Sequence, residues 1–97
     1  MSVRTATLDA NSETFEMSVA FGAHGMCTMD ITGSITVTWT LKTPGGSNAV
    51  PVYDSNGDAA AYTASNVFYA QGPGEYIATA SGVSGGTCDL EASTGKA

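Results

Sequence analysis

Residues 34–41, SITVTWTL, alternate without a break, with Ile35, Val37, Trp39 and Leu41 on one side and Thr36, Thr38 and Thr40 on the other. A period of two marks an extended strand with one buried face. A slip of one residue would turn the whole apolar row outward, so the pattern itself specifies the register. TFEMSVAF at 14–21 repeats the design, setting Phe15, Met17, Val19 and Phe21 against Thr14, Glu16 and Ser18. Shorter strand-like runs follow at 3–8, 26–31, 50–53, 59–63, 67–70, 75–81 and 86–92. No window repeats apolar residues at the three-four spacing of a helix.

The breaks between runs carry turn chemistry. They are FGAHG at 21–25, Thr32-Gly33, TPGGSN at 43–48, DSNG at 54–57, QGPG at 71–74 and GVSGG at 82–86. Asn-Gly favours the positive φ of tight hairpins, and Pro51 confines its run to a sheet edge. The pattern predicts one all-β domain over 1–97, a small β-sandwich or jelly roll of about eight short, mostly antiparallel strands. The expected core is Phe15, Val19, Ile35, Val37, Trp39, Leu41, Tyr76 and Leu90. Segment 1–8 is expected as a strand or an arm reaching a neighbouring subunit, and 93–97 as a frayed tail.

Charge narrows the function. Of 97 residues only three are Lys or Arg against nine Asp or Glu, a net charge of -6. Phosphate backbones need clustered cations, so nucleic acid is excluded as a partner. Anionic lipid is disfavoured for the same reason, and no run is long enough to span a bilayer. Charged residues make up 12% of the chain, about half the usual share, and threonines fill many polar positions. Sheet edges are commonly blunted with lysine, which is scarce here, so neighbouring copies are expected to cover them. MSVRTATLDA lacks the apolar run of a signal peptide, which predicts cytoplasmic synthesis without secretion. In that setting Cys27 and Cys88 are expected as buried, reduced thiols.

Candidate chemistry is thin. Cys27, Trp39 and Cys88 have the order of an immunoglobulin core, but Gly86 stands where that family has Tyr. Asp54-Ser55-Asn56-Gly57-Asp58 opens like a calcium loop. Ala59 and Ser65 fall where the loop needs Gly and Glu, so the segment is read as a hairpin turn. His24 is the only histidine and, in GAHG, has no partner for a triad or metal shell. Asp89 and Glu91 share the polar side of a strand. Tyr53 and Tyr62 flank the DSNG hairpin and are expected to pair across it. Neither catalysis nor a cofactor is expected. The expected contact surface is the loops at 21–27 and 43–48 with the N-terminal segment, namely Val3, Arg4, Phe21, His24, Thr43, Gly45, Gly46 and Asn48.

From VPVYDSNGDAAAYTASNVFYAQGPGEYIATASGVSGGTCDLEAS the second half gains a likeness. An Asp-x-x-Gly turn, a Tyr-Thr-Ala segment, a Gly-x-Tyr strand start and a Ser-Gly turn before a last strand follow in order. Over roughly residues 34–93 the chain resembles small bacteriophage virion accessory proteins, among them capsid decoration or cement proteins and head fibres. The resemblance implies a β-sandwich or jelly-roll module in the virion, forming homo-oligomers, as trimers, and binding a major capsid protein. It implies no catalytic residue. A receptor- or carbohydrate-binding adhesin domain of a tail or fibre is the alternative, with Tyr62 and Tyr69 as sugar-stacking candidates.

Overall fold

The computed structural model describes residues 2–53 and 56–96. These form seven strands and no helix: β1 Ser2–Leu8, β2 Thr14–Val19, β3 Ala23–Lys42, β4 Val50–Pro51, β5 Ala61–Tyr62, β6 Asn66–Gln71 and β7 Gly74–Lys96. All belong to one sheet, and every pairing is antiparallel.

The sheet is organised by two long strands. β3 and β7 pair from Ala23↔Lys96 to Lys42↔Glu75. Their register shifts around Ser34, where Gly33 (φ 77°) lies against Gly85 (φ 72°) and Gly86, with Gly82 (φ 58°) beside Thr36. Positive φ costs glycine little, and a bulge adds residues to one strand and bends it. Close approach matters as well, since a Cβ on Gly86 would run into the Ser34 backbone. The expected turns at Thr32-Gly33 and 82–86 are therefore bends within continuous strands. The long-range ladder resumes beyond each bulge, so four expected strands merge into two.

On one side of the bend the ribbon is flanked by β1 and β6, and on the other by β2, β4 and β5. The inner faces of the two halves meet. Trp39, fully buried, stacks on Phe68 with ring centroids 4.3 Å apart and planes 4° from parallel. Phe68 meets Tyr76 edge-on at 5.6 Å. The indole Nε1 donates to Met29 Sδ at 3.3 Å, so the Trp39 N–H is buried without being orphaned. Phe15, Val19, Ile35, Val37, Tyr76 and Leu90 are buried around this stack, while Leu41 is half-buried against it.

Several local expectations change. β2 ends at Val19, which leaves Phe21 in a turn. His24 belongs to β3, because pairing starts at Ala23. Tyr53 bridges to Ala59, and Tyr62 pairs with Val37, so the two tyrosines do not face each other across the hairpin. Ser93–Lys96, expected to fray, pair with residues 23–26 of β3; Ala97 lies outside the described residues. β1 pairs with its own β7 from Ser2↔Thr94 to Leu8↔Cys88, so it is a strand of the home sheet, not an arm.

Candidate interaction surface

Alternation places the odd residues of β1, β6 and the end of β7, with the even residues of early β3, on one outer face. Register then aligns them in rows. Val3, Ser93, Met26 and Tyr69 make one row across four strands, and Thr5, Glu91, Thr28 and Val67 make the next. Val3 and Met26 are exposed, and Tyr69 keeps 72% of its surface in solvent. His24 and Gln71 sit opposite each other one row further on. Tyr53, Tyr69, His24 and Gln71 line a single concavity, and a second runs from His24 and Tyr69 over Met26 to Ser93.

The other end of this face is acidic. Asp30 lies directly opposite Asp89, with Glu91 in the neighbouring row. Like charges in that position repel. Hydroxyls offset part of the cost, since Thr7 Oγ1 donates to Asp89 Oδ1 at 2.8 Å and Ser65 Oγ to Asp30 Oδ1 at 3.3 Å.

At one end of the molecule Phe21, 84% exposed, shares a concavity with Pro44 and Pro73. The loop carrying Pro44 is tied down. Gly46 N–H donates to the Thr43 carbonyl at 2.8 Å, and Lys42 Nζ reaches the Gly46 carbonyl at 3.2 Å. Lys42 also pairs with Glu75 at 3.0 Å, and Gly45 N–H donates to Glu75 Oε1 at 3.4 Å. The Lys42 hydrogen bond, then the Gly45 N–H, hold the Glu75 carboxyl below its usual pKa.

The expected contact residues therefore separate. Phe21, Thr43, Gly45 and Gly46 lie in the turn and loop at that end, with Asn48 exposed further along the loop. Val3 and His24 lie on the outer face. Arg4 joins neither group, because its guanidinium crosses to β2, donating to the Glu16 carbonyl at 2.6 Å and lying 5.2 Å over the Phe15 ring. Sequence reasoning singled out neither Met26, which lies within the expected 21–27 segment, nor Tyr53 as a contact residue. Met26 was detectable, since it shares the polar phase of its strand with Thr28 and Asp30.

Reactive chemistry is scarce among these groups. Cys27 and Cys88 are free and fully buried. Burial, with Cys88 nearby, pushes the Cys27 thiol up to about 12, and burial, then Asp89 and Asp30, pushes Cys88 to about 11. Both stay protonated at neutral pH and are poor nucleophiles. Among the described residues no three His, Cys, Asp or Glu side chains gather as a metal shell; Asp54 and Ser55 of the DSNGD turn lie outside them. No protein-family profile, curated protein or solved structure matches the chain.

Proposed function

We propose that this protein is a non-catalytic virion subunit that decorates and stabilises a bacteriophage capsid. The observation that carries the reading is the apolar row Val3–Met26–Tyr69, displayed on paired strands. Large side chains exposed together on a rigid sheet mark a surface meant to be covered. The sequence resemblance supplies the kind of partner, a major capsid protein in the assembled particle. Many weak copies on one shell bind through avidity, so each patch can be small. In this reading the bent sheet, with its two inner faces in contact, is a small β-sandwich, the architecture the resemblance implies.

The test is co-sedimentation of the protein with purified capsids, with mass spectrometry of virions to find the native copy. Tyr69→Ala is expected to abolish retention while the circular-dichroism spectrum stays unchanged. Full retention by Tyr69→Ala, or absence from virions, would overturn the reading.

One observation favours a second reading, a carbohydrate-binding adhesin domain. Tyr53 and Tyr69 flank a concavity that also holds His24 and Gln71, which combines stacking surfaces with hydrogen-bond donors. Tyr62, the other expected sugar contact, is half-buried against the core. Glycan-array binding lost on Tyr53→Ala, without capsid retention, would favour this alternative.

A further inference from the structure

The sheet has several edges, and their protection differs. The direction of each backbone group follows from a few hydrogen bonds. Gly72 N–H donates to the Ala23 carbonyl, and Trp39 N–H to the Ala60 carbonyl, so odd residues of β3 face β6 and β5. Even residues of β3 then face β7. Register carries the alternation across β7 to β1, where Arg4, Ala6 and Leu8 turn their backbone groups toward β7. Val3, Thr5 and Thr7 turn theirs outward.

The other edges are each blunted in part. β4 and β5 are two residues each, and β4 contains Pro51. On β2 the outward Glu16 carbonyl is taken by Arg4. On β6 the Val67 N–H is taken by Asn66 Oδ1 at 2.8 Å, and the Gln71 carbonyl by the Tyr76 hydroxyl at 2.7 Å. β1 has none of these devices. Its seven residues pair with β7 without a bulge, and among the described residues nothing bonds the outward N–H and C=O groups of Val3, Thr5 and Thr7.

We infer that β1 pairs edge to edge with β1 of a second copy of this chain, antiparallel, about a two-fold axis at Thr5. The open groups are self-complementary. Thr5 meets the partner's Thr5 and Val3 meets the partner's Thr7, each pair exchanging both N–H···O=C bonds. Charge permits the match in a chain of net charge -6. The outward side chains of β1 are Val3, Thr5 and Thr7, which carry none. Asp89 and Glu91 stand one strand back, so they lie three strand spacings from their counterparts, roughly 14 Å. That exceeds the screening length of about 8 Å at physiological salt. Arg4 does not obstruct the axis, because its head group is held over β2. Pairing seven residues buries less than the roughly 1,200 Å² of a standard interface, so the dimer forms only at high local concentration. The inference does not rest on the capsid reading. It is two-fold, unlike the trimer that the resemblance implies.

Sedimentation velocity of the full chain from about 5 µM to 1 mM, paired with amide exchange by NMR, is the test. The expected mass rises from one chain to two, while the Val3, Thr5 and Thr7 amides become slower to exchange. Thr5→Pro removes the donor on the axis without touching the β7 ladder, and is expected to stay at one chain. Thr5→Lys, which sets two ammonium groups opposite each other, is the second variant if the proline form does not fold. A chain that stays monomeric throughout would overturn the inference. So would a three-chain mass, a dimer whose three amides exchange freely, or unchanged dimerisation in both variants. Capsid retention is read separately, so each proposal fails on its own measurement.

Discussion

Trp39 decides more than any other residue. It lies on β3 in one half of the sheet and stacks on Phe68 of β6 in the other. Truncating a buried aromatic costs about 3–5 kcal/mol, a large part of the roughly 5–15 kcal/mol that holds a domain. Trp39→Ala is therefore expected to be largely unfolded at 37 °C, which a urea titration followed by circular dichroism would measure. The thiols set a second expectation. Cys27 and Cys88 ionise near 9.0 when unfolded but only at about 12 and about 11 when folded. The unfolded chain thus loses protons first as pH rises. The thiols' contribution is fully present below pH 9 and is lost as pH climbs through the folded values. Stability is expected to fall above pH 9, and replacing both cysteines with Ala should flatten that fall. A thiol reagent at pH 7.5 should label the chain only after denaturant is added. The tryptophan was legible in the sequence because it stands in the cleanest alternating run. Its indole contact with Met29 was not, since nothing local ties residue 39 to residue 29.

At the scale of elements the instructive case is the double bulge. Thr-Gly and GVSGG carry the same signals as tight turns, namely glycines suited to positive φ. What makes them bends is that β3 and β7 pair again beyond them, and that pairing partner lies some 50 residues away in sequence. Local pattern therefore located the irregularity and missed its nature. Gly86→Ala tests the packing there. Its Cβ would meet the Ser34 backbone, which cannot yield as a side-chain tip can. A loss of about 3 kcal/mol or more is expected, whereas Gly45→Ala has open space and carries only the cost of a positive φ. Thermal melts of the two variants would separate these effects. The same long pairing turned His24 from a turn residue into a strand residue and so placed it beside Gln71.

The whole molecule separates stability from stickiness. The apolar side chains of the inner faces hold the halves together, and the row Val3–Met26–Tyr69 adds nothing to that core. Tyr69→Ala is accordingly expected to change stability by less than about 0.5 kcal/mol, which a guanidinium titration would check while docking is assayed in parallel. The all-β class and most of the buried set were readable from alternation, because burial follows the pleat. The surface was harder to read. Val3, Met26 and Tyr69 are distant in sequence and become neighbours only through the registers of β1, β3, β6 and β7.

The central ribbon also dictates an order of events during synthesis. β7 is the latest-made of the seven strands, yet β1, β2 and β3 all find their principal partner in it. β3 can pair with β4, β5 and β6 as these emerge from the ribosome, but β1 and β2 have no strand to pair with until β7 follows. Their apolar rows stay exposed for most of translation, and the seven-stranded sheet is completed only once β7 is made.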